Sequence, residues 1–435
     1  MKKKADSFKS DKNFLWGASV SSHQVEGGNY NNWTVWELKN AKRLAESAKE
    51  KNSHLPSWKR IKKMATNPEN YISSLAIDHY NRYEEDFDLV EKMNLNAFRF
   101  SIEWSRIEPK EGVWNEKEIE HYRRYIKALR KRKIEPILTL YHWTVPVWFA
   151  EKGAFLRAGN IKYFVRFAEK VVEELGSDLK IIITINEPDT VAGMGYFMEN
   201  HPPAEHSLRK TIWVYRNHLR AHKLVYRAIK KKSRDFQVGF VKSYAHVMAG
   251  DGNLLSRLAV RIDHFIRDDM ILGYLGRETD FIGVNYYSTG IYKGFRIVNN
   301  DDPNSIFFRK NEWQAGDGEV NDLGWWMQPN NLYYVLKRLS RRGKPIYVTE
   351  TGVADSEDRY RKDWLDGTIN SVRRAIADGA DIRGYLHWSM FDNFEWAYGR
   401  WPCFGLVKID YENNLRRVMR PSAKYYAEVI KKARS

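Results

Sequence analysis

The feature that most constrains this chain is an alternation. Short apolar runs rich in β-branched residues recur along it, with amphipathic helical patterns between them. The runs are Phe14–Ser19, Ala97–Trp104, Glu135–Trp143, Ile181–Pro188, Phe236–Tyr244, Asp280–Ser288, Pro345–Gly352 and Ile382–Met390. Strand-like runs that alternate with helical sequence predict a parallel sheet with crossover helices. Eight of them close most naturally as a single (β/α)8 (TIM) barrel of the α/β class. Several helices are legible by their faces. Tyr83–Met93 carries Phe87, Val90 and Met93 on one side, and Ile161–Leu175 carries Phe164, Phe167, Ala168, Val171 and Val172. Asn330–Arg341 and Lys362–Ala377 behave similarly, and Pro421 suits the first turn of a closing helix, Pro421–Lys432.

The length of 435 residues exceeds what one core usually organises, about 250–300 residues. A barrel with long βα-loops on its C-terminal face is the usual exception. One catalytic barrel domain over residues 1–435 is therefore expected, with residues 1–12 as a flexible N-terminus. Residues 37–77, rich in lysine, and residues 289–328, with Gly, Asp and Asn clusters, are longer than simple connections. Both begin at the C-terminal end of a strand, where barrel enzymes build their active sites. No internal repeat, low-complexity tract or interdomain linker interrupts the pattern.

The lone cysteine, Cys403, excludes an intrachain disulfide and fits a reducing compartment. It reads as a small packing residue, with a reactive thiol as the alternative. No apolar h-region follows the basic Met1–Asp6 segment, and no run approaches the ~20 apolar residues of a membrane span. A cytoplasmic protein is expected. The formal charge is +17, from 72 basic and 55 acidic residues. Basic clusters lie at Lys59–Lys63, Arg130–Lys133, Lys230–Lys232 and Arg341–Arg342. They could mark an anionic polymer or a membrane surface. Three of them, however, end predicted helices, where cations complement the helix dipole. They are dispersed and no nucleic-acid motif accompanies them, so neither nucleic acid nor membrane is expected as a partner. Aromatic residues reach 14%, with 16 tryptophans, which either a sugar-stacking cleft or a large core explains.

Polar and acidic residues recur where the strands end. The first strand runs into Gln24, the third ends Tyr141-His142-Trp143 and the fourth Asn186-Glu187-Pro188. The sixth ends Asn285-Tyr286-Tyr287, the seventh Thr349-Glu350-Thr351-Gly352 and the eighth His387-Trp388. A glutamate directly after Ile181–Ile185 is costly to bury without a reason. Any one such residue is more often a satisfied structural group, but six strand ends in one pattern are hard to explain that way. Glycoside cleavage needs a carboxylic acid for the leaving oxygen and a carboxylate opposite it. The fourth and seventh strands lie on opposite sides of an eight-stranded barrel, so Glu187 and Glu350 form the candidate catalytic pair.

The motifs together resemble glycoside hydrolase family 1, the β-glucosidase and β-galactosidase family. They are Phe14-Leu15-Trp16-Gly17-Ala18, Gln24-Val25-Glu26-Gly27, Phe98-Arg99-Phe100-Ser101, Tyr141-His142-Trp143 and Thr184-Ile185-Asn186-Glu187-Pro188. Gly283-Val284-Asn285-Tyr286-Tyr287, Thr349-Glu350-Thr351-Gly352 and Asp392-Asn393-Phe394-Glu395-Trp396 follow. The likeness runs from Phe14 to about Ile430. It implies a retaining, exo-acting β-glycosidase, most readily a β-glucosidase, hydrolysing small β-glycosides or short oligosaccharides through a covalent glycosyl-enzyme. It implies Glu187 as acid/base and Glu350 as nucleophile, with Arg99 and Tyr287 supporting the nucleophile. Gln24, His142, Trp143, Asn186, Asn285, Tyr287, Trp388, Glu395 and Trp396 would line the sugar site, and Trp325 would stack on the aglycone. A glutamate at position 395, where family members that take 6-phosphorylated sugars usually have serine, implies an unphosphorylated glycone.

An ionised Glu350 would raise the pKa of Glu187 and keep its proton for the first step. Once Glu350 carries the sugar that repulsion is gone, so the two alternate roles with no cofactor or metal expected. The sequence departs from the family pattern at Thr351, at His23 and across Ala397–Cys403, which bears on loop shape and aglycone preference. Asp78-His79-Tyr80 and Glu37 lack a second His or Cys at ligand spacing and read as ion pairs or caps. Trp325 and Trp326 cannot both face a cleft from an extended segment, so one should pack. A sugar-binding protein with weak catalysis is the alternative function, and substitution of Glu187 or Glu350 would have been its signature.

Overall fold

A computed structural model describes residues 10–298 and 319–435. Eight parallel strands close into a barrel: β1 (Leu15–Ser19), β2 (Ala97–Ser101), β3 (Glu135–Tyr141), β4 (Ile181–Asn186), β5 (Gln237–Ser243), β6 (Phe281–Tyr286), β7 (Ile346–Thr351) and β8 (Ile382–Trp388). Each expected run contains one of them, and each pairs only with its two neighbours in sequence, β1 closing on β8. Side chains alternate between the two faces of a strand. Ala97, Ile137, Ile181, Val241, Phe281, Tyr347 and Leu386 fill the barrel interior, while Phe98, Leu138, Ile182, Ile282 and Val348 join the core under the helices. Both faces are therefore dry, which is why the strands read as continuous apolar runs.

The helices with apolar faces appear as expected, at His79–Lys92, Ile161–Leu175, Leu332–Ser340, Arg361–Ala377 and Pro421–Arg434. The lysine-rich stretch after β1 is largely helical, with α1 at Asn32–Asn52 and α2 at Trp58–Ala65. Asn31 starts α1 by accepting from the backbone N–H groups of Trp33 and Thr34 at 2.9 and 3.0 Å, a side-chain cap. Within the stretch expected at 289–328, residues 299–318 lie outside the described residues. So do residues 1–9 of the N-terminus expected to be flexible, whereas Ser10 is tied to Ala433 through its N–H at 3.0 Å.

The basic clusters fall where the dipole favours them. Lys62 and Lys63 lie in the last turn of α2, Arg130 and Lys131 in that of Glu116–Lys131, and Lys230–Lys232 in that of Leu208–Lys232. Arg341 and Arg342 follow Leu332–Ser340 directly. Among the described residues, no helix is long and apolar enough to cross a membrane.

Candidate active site

The site lies at the C-terminal ends of the strands, and two irregularities in the barrel shape it. Along β4 and β5, Ile183 pairs with Gly239 but the next pair is Asn186 with Val241, so β4 carries an extra residue. Ile183 faces the barrel interior and Thr184 faces outward, its hydroxyl 2.6 Å from His222 Nδ1. Strict alternation would then send Asn186 outward with Thr184. The extra residue turns it into the barrel mouth instead. The same happens on β7, where Val348 pairs with Val284 and Glu350 with Asn285. Thr349 and Glu350 consequently both face the mouth, and Thr351 returns outward to accept from Trp364 Nε1 at 3.1 Å. Bulges that re-aim a side chain are common beside active sites.

Glu350 is almost fully buried, and both of its oxygens are held. Oε1 is ion-paired with Arg99, and Oε2 accepts from the Tyr287 hydroxyl at 2.7 Å. Arg99, wholly buried on β2, is itself oriented by three acceptors: Thr139 Oγ1 at 3.1 Å, the Thr349 carbonyl at 3.4 Å and Asn186 Oδ1 at 2.7 Å. The Tyr287 hydroxyl is raised well above its usual range by burial and by the carboxylates around it, so it stays a donor to Glu350.

Glu187 follows β4 with a left-handed backbone (φ 44°), and Pro188 starts the helix Pro188–Tyr196 after it. That kink swings its carboxyl over the mouth. Asn285 Nδ2 donates to Oε1 at 2.7 Å and the Thr190 hydroxyl to Oε2 at 2.9 Å. Burial, and after it the charge of Glu350, pushes the Glu187 carboxyl up to about 8. The two glutamates are thus electrostatically unlike, one paired with a guanidinium and one desolvated with no ion pair among the described residues. Asn285, expected on the sugar-lining wall, has both ends of its amide engaged within the protein: its Oδ1 accepts from Thr349 Oγ1 at 2.7 Å.

An aromatic and polar wall adjoins the pair. His142 Nε2 lies 3.2 Å from Asn186 Nδ2. Burial and the Arg99 charge hold the imidazole well below its usual pKa, hence neutral. With Nε2 accepting, the proton belongs on Nδ1, a buried atom with no hydrogen-bond partner among the described residues. Its ring lies 6.0 Å from that of Trp388 and 6.2 Å from that of Trp396. Trp143 donates its indole N–H to the Asn186 carbonyl at 3.2 Å and packs 4.7 Å from Trp396. Glu395 is pushed up to about 8 by burial and then by Glu350, and Gln24 Nε2 reaches it at 3.4 Å. Trp325 stands apart from this wall and joins through Tyr287, 6.1 Å between rings, and Phe404. Its neighbour Trp326 turns into a backbone bridge with Val320.

Several supporting residues escape a reading of strand ends. Thr190 sits three residues after Glu187, one helical turn on. His23 stacks at 15° on Trp396 and is fixed by Glu37 at 3.3 Å and Asn31 at 3.2 Å. Glu37 also takes the N–H and hydroxyl of Ser73, so it is a structural acceptor. His79 pairs with Asp86 at 2.7 Å and with the Tyr125 hydroxyl at 2.9 Å. Asn70, from the long segment after β1, holds Tyr398 and Arg400 in the departing loop at 2.9 and 2.8 Å. Burial raises the Cys403 thiol, keeping it protonated.

The glycosyl hydrolase family 1 model matches residues 5–259 and 262–435. The chain is 30% identical over 464 residues to a 1,4-β-D-glucan glucohydrolase of Thermotoga neapolitana, covering 96% of this chain and 97% of that one. It is 31% identical to a β-galactosidase of Sulfolobus acidocaldarius over 417 residues, 81% of this chain and 84% of the other. Among solved structures, a β-glycosidase from Pyrococcus horikoshii superposes with a TM-score of 0.83 at 33% identity, covering 98% and 96% of the two chains.

Proposed function

The chain belongs to glycosyl hydrolase family 1, and as an O-glycosyl hydrolase acting on β-glycosides we propose that it works by double displacement with retention. Its whole length acts as one catalytic unit. Glu350 is the nucleophile: its carboxylate attacks the anomeric carbon while the bond to the leaving oxygen breaks. Glu187 gives its proton to that oxygen. In the second step water attacks the same carbon, Glu187 takes the water's proton, and the ester to Glu350 breaks. The observation that carries this reading is the contrast between the two carboxyls. Glu350 is bound by Arg99 and Tyr287, and Glu187 is desolvated with its pKa near 8. Intact supports around both glutamates disfavour a sugar-binding protein with weak catalysis.

The enzyme is exo-acting on small unphosphorylated β-glycosides and short oligosaccharides, with glucosides preferred and galactosides and fucosides also accepted. His142 Nδ1–H, Asn186, Gln24 and Glu395 hold the sugar hydroxyls. Trp396 and Trp388 offer rings to its C–H faces, and Trp325 meets the aglycone. Time-resolved proton NMR of an aryl β-glucoside tests this, with Glu350→Gln alongside. β-Glucose should appear before mutarotation, and the variant should lose about 10⁴-fold or more in kcat. First release of α-glucose, or a fully active variant, sinks the assignment.

A further inference from the structure

The sequence from Leu254 to Leu275 forms one continuous helical rod: an α-helix to His264, a wider π-helical turn over Phe265–Asp269, and an α-helix from Met270. At ~1.5 Å per residue it is about 30 Å long. It follows β5 and precedes β6, so it runs along the barrel's flank from the catalytic face to the opposite one. Eight of the large apolar side chains exposed among the described residues lie on it. Leu254 is 77% exposed, Phe265 57% and Ile266 52%, with Leu258 and Ile262 between them. Helical spacing places these on one stripe. Without the π-helical turn, Met270 and Tyr274 would rotate off it. The wider turn delays the rotation and keeps both of them exposed. The opposite face is ordinary core: Ser256 and Ala259 are buried, and Ile271 and Leu275 pack with Leu219 and Phe240.

An apolar stripe this long on a soluble-facing surface needs an occupant, and the charges beside it say which. Arg257 and Arg261 lie on the same helix, along one edge of the stripe. Arg261, His264, Phe265 and Asp269 join Arg338, Arg341 and Arg342 around an open cavity of about 590 Å³, six of whose seven lining residues are basic or apolar. Arg338 is paired with Asp268 at 2.6 Å, and Arg342 with Asp269. Arg257, Arg261 and Arg341 form no ion pair among the described residues. A second copy of the chain on this face would add the same three unpaired arginines to the interface rather than an anionic complement, since a two-fold interface repeats one patch on both partners. A surface that is apolar inside and anionic outside complements both features.

We propose that this flank docks the protein onto an anionic lipid bilayer, lying parallel to it. Phe265, Ile262 and Leu258 enter the acyl boundary, and Arg257, Arg261 and Arg341 meet lipid phosphates. The sequence expectation of no membrane partner rested on clusters sitting at helix ends. Arg341 and Arg342 do sit there, but the fold also brings them beside an apolar stripe that lies far away in sequence. Docking by this flank leaves the barrel mouth at one end of the rod, open to solvent.

The test is co-sedimentation of the full chain with vesicles of phosphatidylcholine containing roughly one third phosphatidylglycerol, against vesicles of phosphatidylcholine alone. Two variants accompany it, Ile262→Glu/Phe265→Glu and Arg257→Glu/Arg261→Glu/Arg341→Glu. Hydrolysis of a soluble aryl β-glucoside reports that each is folded. The expected result is binding to the anionic vesicles that high salt weakens and that each variant lowers by about tenfold or more, with hydrolysis unchanged. Binding no stronger than to neutral vesicles, or binding that both variants retain, overturns the proposal. A wild-type dimer by analytical ultracentrifugation that Ile262→Glu/Phe265→Glu dissociates, with no vesicle binding, assigns the face to a second copy and overturns it too.

Discussion

At the scale of single residues, burial sets the proposed role of Glu187. In the double displacement proposed above its proton is present at the first step, so kcat/KM should fall as pH rises through about 8, close to tenfold per unit beyond. Burial is the larger cause of that position and the Glu350 charge the second. In Glu350→Gln the Glu187 carboxyl should therefore titrate lower than in the parent, yet still above an ordinary glutamate. Carbon-detected NMR of labelled glutamate carboxyls measures both; an unchanged midpoint removes the coupling between the pair. The glutamates themselves were legible in sequence, because a charge directly after a buried apolar strand, as at Glu187, or inside one, as at Glu350, is conspicuous. Thr190, His23 and Asn70 were not. Each acts by meeting a residue from another segment, and no spacing along the chain announces that.

At the scale of elements, the strands were readable because both of their faces are dry. The extra residues in β4 and β7 were not, since a bulge is defined against a neighbouring strand. They matter more to the site than the strands' existence does, because they set which face Asn186 and Glu350 present. Gly352, just past β7, shows how tightly that end is packed. A Cβ there would overlap the Trp388 carbonyl oxygen. Gly352→Ala must push β7 and β8 apart where Glu350 and Trp388 leave them. We expect a loss of stability of about 1–3 kcal/mol by urea denaturation and a fall in kcat larger than the change in KM. A variant with parental kcat would show that the mouth tolerates the shift.

At the scale of the whole molecule, long loops are bound to the barrel by buried polar contacts. Arg420, the residue before the last helix, donates to the Gly405 carbonyl at 3.0 Å, the Ser356 carbonyl at 3.1 Å and Asp392 Oδ2 at 2.6 Å. It joins the chain's end to the loops after β7 and β8. Removing one partner of a buried pair leaves the other uncompensated, so Arg420→Ala should cost about 3–5 kcal/mol in chemical denaturation. A loss under about 1 kcal/mol, typical of an exposed pair, would contradict the burial. The abundance of tryptophan, ambiguous in sequence, divides here. Trp16, Trp33 and Trp104 are wholly buried, and Trp143, Trp388 and Trp396 lie in the wall beside the two glutamates that is proposed to hold the sugar. Composition could not separate these because the same ring serves both.

The unequal carboxyls carry a consequence for the catalytic cycle. In the proposed double displacement Glu350 carries one negative charge before reaction and Glu187 none, and in the glycosyl-enzyme Glu187 carries the charge and Glu350 is an ester. The sum never changes; the charge only crosses the mouth, between groups joined through Arg99, Asn186 and Asn285. Such a cycle neither draws in a counter-ion nor expels one. Its chemical steps should be nearly indifferent to ionic strength, and stopped-flow rates of glycosylation at low and high salt would show it. Shielding of surface charges, however strong, has nothing there to act upon.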